Sequence, residues 1–235
     1  MIEIHNVKFN KIYISDVKHL SRAFHLAPNY GHSYCPHCLD ISPNGDFIAS
    51  GSIDHTIKLW HFKTGILVHT FFGHEGSVED IAFTPDSRHI ISGSNDCTVR
   101  IWNVKKGKLI RRIKRNDRIK SLAISPDGAK IVIGMEMDAE NPKKCIEVLD
   151  FHNGNLIHSL KGHSQTVISV DVNSHGTIIA SGSFDHSIII WDLITGDLIS
   201  TIKSEFINEI IAITFSPDGN HIACANLKGT LFIDS

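Results

Sequence analysis

The sequence lacks the segments that direct a protein to or across a membrane. No apolar run approaches the roughly 18 residues of a membrane-spanning helix. The N-terminus, Met-Ile-Glu-Ile-His-Asn, has no basic start followed by an apolar core, so no secretory signal peptide is predicted. There is no Asn-x-Ser/Thr sequon, and the five cysteines fall at irregular positions. These absences predict an intracellular, cytoplasmic protein, with the nucleus open as an alternative.

The sequence also lacks an excess of one charge and the common catalytic motifs. Its 23 Lys and Arg residues nearly balance 25 Asp and Glu, and the net charge of -2 excludes a globally basic protein that coats nucleic acid. It has no Gly-rich phosphate loop, no His-Glu-x-x-His and no Gly-x-Ser-x-Gly elbow. We therefore expect no cofactor, no resident metal and no small-molecule substrate. With 42% hydrophobic residues, the chain has the composition of a globular protein with a substantial core.

The sequence does, however, contain a repeat. Turn-forming tetrapeptides such as Ser-Pro-Asp-Gly begin at Ser42, Thr84, Ser125, Asn173 and Ser216, at steps of 42, 41, 48 and 43 residues. Pro presets φ for the second position of a turn, and Gly or Asn tolerates the unusual φ of the later positions, so each tetrapeptide predicts a hairpin. The segments between them are short and alternate with period two, which predicts four strands per repeat and no helix.

The details of the repeat resemble a known family. Gly-His dipeptides precede several hairpins, Ser-Gly-Ser segments with a turn Asp follow them, and a Trp closes the third strand in three repeats. At this spacing the pattern resembles the blades of WD-repeat β-propellers, from about residue 31 to 235. The resemblance implies an all-β WD-repeat β-propeller of about five four-stranded blades. Six blades, an incompletely closed ring or a piece of a longer propeller remain alternatives.

The repeat divides residues 1–235, taken as a single propeller, into successive blades. The third blade is degenerate, because Arg115 occupies the His position, Leu149 occupies the Trp position, and a longer loop at 135–144 is inserted. The predicted segments are partial N-terminal blade strands in 1–30, blades at 31–72, 73–114, 115–161 and 162–203, and an incomplete C-terminal blade at 204–235.

The resemblance also implies a buried His-Ser-Asp-Trp tetrad in three blades, in which the Asp fixes the His, the His meets the Ser, and the Ser reaches the indole N–H. A His oriented by an Asp next to a Ser is also how a catalytic serine is activated. Since an active site is needed only once, three copies favour a structural role, and no enzyme is predicted. The tetrads are His32, Ser50, Asp54 and Trp60; His74, Ser92, Asp96 and Trp102; and His163, Ser181, Asp185 and Trp191.

In WD-repeat propellers, the top face, formed by the loops that join strand d to a and b to c, commonly binds partners. The resemblance therefore implies a non-catalytic protein–protein interaction scaffold within a multiprotein complex, with Ile168 and Phe184 as apolar anchors. Three positions per blade map onto the top face: Cys35, His37, Ile53, Ser77, Glu79, Asn95, Arg118, Lys120, Thr166, Ile168 and Phe184, with Glu209, Ile211 and Leu227 in the last repeat.

One segment is strongly basic. Residues 105–120 hold nine of the 23 basic residues, and Asp117 is their only acid. Such a strip predicts anion binding, and the alternative function is therefore binding of nucleic acid or a phosphorylated partner. Acids of the 135–144 loop would neutralise part of it if they lie on the same face. The basic residues are Lys105, Lys106, Lys108, Arg111, Arg112, Lys114, Arg115, Arg118 and Lys120.

The tetrapeptide Cys-Pro-His-Cys, from Cys35 to Cys38, raises a second alternative, a thiol or metal site. A redox motif of this kind needs a helix N-terminus to lower a thiol pKa, whereas this one is predicted on a strand. Strand alternation would put the two thiols on opposite sides, and further zinc ligands are not evident nearby. No metal site is assigned.

Overall fold

The computed structural model consists of short antiparallel strands joined by turns. The structure describes residues 31–137, 146–203 and 209–226, and the backbone of Leu231–Asp234. These residues form nineteen strands in five sheets. The described part of the chain includes no helix with the length and apolarity that a membrane span requires. The prediction of an all-β fold is therefore confirmed.

The described residues divide into two compact units, and the first unit ends at Lys120. It contains two four-stranded sheets, ordered β1-β2-β3-β4 and β5-β6-β7-β8. Each strand pairs with the next one in sequence, as expected when tight hairpins connect them. The strands are β1 (Pro36–Ile41), β2 (Phe47–Ser52), β3 (Ile57–His61), β4 (Leu67–Phe71), β5 (Val78–Phe83), β6 (His89–Ser94), β7 (Thr98–Asn103) and β8 (Lys108–Lys114).

The second unit begins at Ser121, within strand β9. Two of its sheets have four strands, β9 to β12 and β13 to β16, and the third shows three strands in the described residues, β17 to β19. The strands are β9 (Ile119–Ile124), β10 (Lys130–Met135), β11 (Ile146–Asp150), β12 (Leu156–Leu160), β13 (Val167–Val172), β14 (Ile178–Ser183), β15 (Ser187–Asp192), β16 (Leu198–Lys203), β17 (Ile210–Phe215), β18 (Ile222–Asn226) and β19 (Leu231–Asp234).

A residue with positive φ closes the hairpin between the first two strands of every sheet. Four of these residues are glycines with φ between 69° and 75°, and the second sheet has Ser87 with φ of 59°. A side chain is costly in this conformation, which is why the turn tetrapeptides end in Gly four times out of five. The glycines are Gly45, Gly128, Gly176 and Gly219.

Glycines on the deeply buried second strands β2 and β14 let a neighbouring sheet approach. A Cβ atom at Gly51 would lie 2.6 Å from Val78, and one at Gly182 would lie 2.3 Å from Ile210. Gly51 and Gly182, each in a Ser-Gly-Ser segment, are thus required for packing between sheets. The outer strands β8, β12 and β16 are the most exposed strands of their sheets.

Several predictions fall on residues outside the described ranges. These are the partial blade strands in 1–30, the residues of the 135–144 loop beyond Met137, and Leu227 in the last repeat. Ring closure therefore stays a prediction.

Candidate functional site

The predicted tetrad of the second repeat is a continuous chain of hydrogen bonds. His74 precedes the sheet, Ser92 lies on β6, Asp96 lies in the turn after it, and Trp102 lies on β7. Trp102 Nε1 donates to Ser92 Oγ at 2.9 Å, and the hydroxyl lies 2.7 Å from His74 Nε2. His74 Nδ1 lies 2.8 Å from Asp96 Oδ2. The tetrad thus ties two strands, a turn and the preceding loop together.

The other two tetrads have the same geometry. In the first repeat, Trp60 Nε1 donates to Ser50 Oγ at 3.1 Å, and the hydroxyl lies 2.8 Å from His32 Nε2. In the fourth repeat, the corresponding distances from Ser181 Oγ to Trp191 Nε1 and His163 Nε2 are both 2.8 Å. His32 and His163 each place Nδ1 2.9 Å from a carboxylate oxygen, on Asp54 and Asp185 respectively.

Electrostatics favour a neutral imidazole between a hydroxyl and a carboxylate. Burial lowers the pKa of His32 and His74 although the neighbouring carboxylates oppose it. Burial alone would raise the pKa of Asp54, but hydrogen bonds from Thr56 and the nearby His32 lower it to about 2. Hydrogen bonds likewise hold the pKa of Asp96 well below its usual range. A neutral His that donates from Nδ1 and accepts at Nε2 satisfies the whole chain.

The second tetrad has an additional member that sequence reasoning missed. Arg100 on β7 is only 4% exposed, and its Nη2 lies 3.5 Å from Asp96 Oδ2. The guanidinium also stands 5.9 Å from the centroid of Trp102. A Cβ atom at Gly73 would lie 2.5 Å from Arg100 Nη1, so the glycine makes room for the buried cation. By strand register, Lys58 and Ile189 occupy the equivalent positions in the first and fourth repeats. The residue type is therefore not repeated, and a search for repeated residues cannot find Arg100.

A second polar cluster lies at the top end of the first unit, where β6 turns into β7. Asn95 Nδ2 donates to Ser77 Oγ and to Glu79 Oε1, each at 2.7 Å. Ser77 Oγ also donates to Glu79 Oε1. Lys120 Nζ donates to Asn95 Oδ1 at 3.0 Å and lies 3.9 Å from Glu79 Oε2. Four residues predicted from the top-face pattern, Ser77, Glu79, Asn95 and Lys120, are therefore brought together.

The remaining predicted residues of this unit surround that cluster or stand apart from it. His37 Nδ1 lies 3.7 Å from Glu79 Oε1. Ile53 is 38% exposed, and its N–H donates to the carbonyl of Cys35. Tyr34, which is 69% exposed, was missed because it falls outside the three positions taken from the family pattern. Arg118 is exposed.

In the second unit, the predicted anchors are less accessible. Phe184 and Ile168 are half-buried, and the Phe184 N–H donates to the Thr166 carbonyl at 3.1 Å. Thr166 Oγ1 accepts a hydrogen bond from the N–H of Met137 at 3.2 Å. His186 Nε2 lies 3.8 Å from Glu209 Oε1. Phe184 is thus less exposed than Tyr34 and Ile53 of the first unit.

A model of the WD40 family, "WD domain, G-beta repeat", matches residues 25–61, 65–103 and 154–192. The chain belongs to the WD-repeat family. It is 33% identical over 211 residues to periodic tryptophan protein 2 of Saccharomyces cerevisiae, a match that covers 89% of this chain and 22% of that relative. The Caenorhabditis elegans homolog is 28% identical over 194 residues, 82% of this chain and 20% of the relative.

Another relative is the COMPASS component SWD3 of Saccharomyces cerevisiae, 26% identical over 200 residues. That match covers 82% of this chain and 48% of the relative. The chain thus spans about a fifth of the length of the periodic tryptophan proteins and about half that of the COMPASS component. The fold is a WD-repeat β-propeller fold, as predicted.

The WD-repeat model leaves the degenerate third repeat unmatched, and the structure shows what replaced its tetrad. By strand register, Ile133 stands where the other repeats have Ser, and Leu149 stands where they have Trp. Both side chains are completely buried. At these two positions, apolar packing therefore takes the place of the Ser–Trp hydrogen bond of the other repeats.

The two thiols of the Cys-Pro-His-Cys segment have different environments. Cys35 is exposed, whereas Cys38 is buried on β1, where its Sγ donates to the carbonyl of Val78 at 3.8 Å. Burial raises the pKa of Cys38 well above its usual range. No group of three His, Cys, Asp or Glu side chains suited to a metal ion occurs in the described ranges.

The basic strip does not form one continuous surface. Lys120 belongs to the top-end cluster, where Glu79 provides a nearby carboxylate. Arg111 and Arg115 are half-buried. The exposed cations of β8 and the turn that precedes it are Lys105, Lys106, Lys108, Arg112 and Lys114.

Proposed function

We propose that this WD-repeat chain is a non-catalytic interaction module of an intracellular multiprotein complex. It binds a protein partner through the top end of its first unit. The observation that carries the proposal is the preorganised cluster of Glu79, Asn95 and Lys120, whose charged and amide groups are held in place by one another. Groups fixed before binding lose little conformational entropy when a partner arrives, which favours specific recognition.

The surroundings of the cluster support a protein partner. Tyr34 and Ile53 are exposed in the preceding repeat, whose His37 lies 3.7 Å from Glu79, and Tyr is among the residues that contribute most binding energy in interfaces. An apolar contact next to fixed polar groups is the usual composition of an interface centre and its rim. Glu79 and Lys120 then determine which charges the partner can carry, because a like charge placed opposite either group is repelled.

The names of relatives support membership in a complex. SWD3 is named as a component of COMPASS. A relative from Phaeosphaeria nodorum, 38% identical over 73 residues, is named as subunit I of eukaryotic translation initiation factor 3. These matches cover 48% and 21% of the two relatives, so they support the kind of role and leave the partner unnamed.

The tetrads support a role without catalysis. Ser92 and Ser181 are completely buried, so a substrate cannot approach their hydroxyls. Each hydroxyl also accepts a hydrogen bond from an indole, which competes with activation as a nucleophile. The Ser-His-Asp order is used three times for the same structural purpose.

The proposal is tested by quantitative affinity purification from the cells that produce the protein. The top-end variant carries Tyr34→Ala, Ile53→Ala and Glu79→Gln. A control carries Phe62→Ala, Ile66→Ala and Asp46→Asn, which remove the same numbers of apolar and acidic groups from exposed positions at the opposite end of the first sheet. We expect a stoichiometric partner to be lost from the top-end variant and kept by the control. Equal recovery with both variants would exclude this surface.

A further inference from the structure

Five exposed cations crowd the outer edge of the second sheet. Lys105 and Lys106 lie in the turn between β7 and β8, and Lys108, Arg112 and Lys114 lie on β8 itself. None of the five forms an ion pair with an acidic side chain of the described residues. We call these five residues the basic edge. Its charge is therefore available to an external anion.

The fold does not require this charge. The other three four-stranded sheets have an equivalent turn between their third and fourth strands and an equivalent outer strand. The lysines in or directly after these segments are Lys63, Lys161 and Lys203, one in each sheet. Lysine on an edge strand can protect it from pairing with another chain. Strands β4 and β12 have no lysine between their first and last residues, so this fold does not depend on that protection.

Strand register spreads the cations over both sides of the edge. Arg112 pairs with Arg100 and Lys114 with Thr98, whereas Lys108 pairs with Asn103 and faces the other side of the sheet. Residues on one side of a strand are spaced by about 7 Å, which suits an extended polyanion. The positive charge of Arg112 also lowers the pKa of the buried Arg100, behind the larger effect of burial. An anion at Arg112 would relieve this repulsion.

An exposed aromatic residue lies in a segment that packs against the sheet of the basic edge. Phe71, at the end of β4, packs against Trp102 with 5.5 Å between ring centroids, and Gly73 lies against Arg100. The chain from Phe71 to Gly73 therefore runs along the side of the sheet that carries Arg112 and Lys114. Phe72 lies between them and is 73% exposed. An aromatic side chain next to a row of cations is the arrangement on which bases of single-stranded nucleic acids stack.

We propose that the basic edge, together with Phe72, binds single-stranded nucleic acid through its phosphodiester backbone and without base specificity. An acidic protein would meet the same charge, but four of the five cations are Lys, which protein interfaces disfavour and phosphate contacts use freely. This surface is separate from the cluster around Glu79. The two binding functions can therefore fail independently.

The test measures fluorescence anisotropy of labelled oligouridylate, oligothymidylate and polyglutamate with the full chain over a salt titration. The basic-edge variant is Lys105→Gln, Lys108→Gln, Lys114→Gln. The control variant is Lys63→Gln, Lys161→Gln, Lys203→Gln, which removes the same number of exposed lysines from comparable positions near other outer strands. A Phe72→Leu variant tests stacking. All substituted side chains are exposed, so each variant is expected to fold.

For the wild type, we expect both oligonucleotides to bind more tightly than polyglutamate. The tighter binder of the two, oligouridylate or oligothymidylate, indicates whether the natural ligand is RNA or DNA. Each contacted phosphate contributes about 0.7 to the slope of log affinity against log salt, so the basic-edge variant should lose about 2 from that slope and bind at least about tenfold more weakly. The control variant should match the wild type, and Phe72→Leu should weaken binding several-fold at unchanged slope. Tighter binding of polyglutamate, or equal binding by the two lysine variants, would overturn the proposal.

Discussion

Trp102 donates its indole N–H to Ser92 Oγ at 2.9 Å, and that same hydroxyl lies 2.7 Å from His74 Nε2. One buried oxygen therefore completes the hydrogen bonding of two larger side chains. The arrangement recurs in the first and fourth repeats, which explains why three of the four-stranded sheets carry the same residues in the same order.

We expect Ser92→Ala to lower the free energy of unfolding by about 2 to 4 kcal/mol, because it leaves the Trp102 N–H and His74 Nε2 unpaired in a buried site. Urea denaturation measures the change. Ser200→Ala on the exposed strand β16 is the control and should change stability by less than about 0.5 kcal/mol. A Ser92→Ala protein as stable as the control would show that the tetrad contributes little.

Asp96→Ala is expected to cost more than Asp185→Ala. Both changes remove the carboxylate that orients a His, but only Asp96 also compensates a buried cation, Arg100. Leaving such a cation unpaired costs about 3 to 5 kcal/mol, whereas the fourth repeat has Ile189 at that position. The difference between the two Ala variants should be about 1 to 3 kcal/mol by urea denaturation, since Arg100 can partly rehydrate.

Adding Arg100→Ile to the Asp96→Ala protein should recover most of that difference, because it reproduces the environment of the fourth repeat. Arg100→Ile alone is the control for lost packing and for the lost contact with Trp102. If Asp96→Ala and Asp185→Ala cost the same, Arg100 does not depend on Asp96. Partner binding in cell extracts should be unchanged for any of these variants that folds.

The tetrads and turns could be predicted from the sequence because each depends on residues with few substitutes at a fixed spacing. Only Gly adopts the turn φ without strain, and a His-Ser-Asp-Trp set repeats as a unit. Arg100 could not be predicted in this way. Its burial depends on the space that Gly73 leaves, and the first four repeats hold Lys, Arg, Glu and Ile at that position.

The turns between second and third strands contain a strain that substitution can remove. His55, Cys97 and His186 each follow a tetrad Asp and have φ of 66°, 61° and 64°. Glycine adopts this conformation without the steric cost of a Cβ atom, so Cys97→Gly should raise the free energy of unfolding by about 1 kcal/mol. Cys97→Ala keeps the Cβ and serves as the control. Equal stability of the two variants in urea denaturation would argue against strain at this residue.

Stability should decrease as the pH falls from about 7.5 to 5. Burial lowers the pKa of His32 and His74 below the value of 6.5 expected in the unfolded chain. Below pH 6.5 these two side chains bind more protons in the unfolded chain than in the folded chain. The free energy of unfolding therefore falls as the pH is lowered below 6.5. Asp54, with its pKa lowered to about 2, acts in the same direction, and its contribution is lost as the pH falls from about 4 to 2.

Urea midpoints measured across this pH range check the expectation. A His32→Gln, His74→Gln variant should be less stable at pH 7.5, yet its stability should change less between about pH 7 and 5 than that of the wild type. A wild-type midpoint that is independent of pH would contradict the assignment of neutral imidazoles.

The candidate site illustrates where reasoning from spacing ends. Spacing indicated Ser77, Glu79, Asn95 and Lys120 one by one, since each occupies a family position in its own repeat. That Lys120 lies beside Glu79 depends on how successive repeats pack, which spacing within a single repeat does not report. The same limit applies to Phe184, whose half-burial results from its surroundings in the second unit.

The thiols at Cys35 and Cys38 should differ sharply in reactivity. Cys35 is exposed, whereas Cys38 is buried, donates to the Val78 carbonyl and has its pKa raised by burial. With an aromatic disulfide reagent at neutral pH, we expect Cys35 to react in the folded protein and Cys38 to react only after unfolding. Cys35→Ser should remove the fast reaction and Cys38→Ser should keep it, as peptide mass spectrometry of the modified sites can verify. A disulfide between the two residues after mild oxidation of the folded protein would contradict the geometry, because their thiols would then have to meet, and would favour a redox role for the Cys-Pro-His-Cys segment.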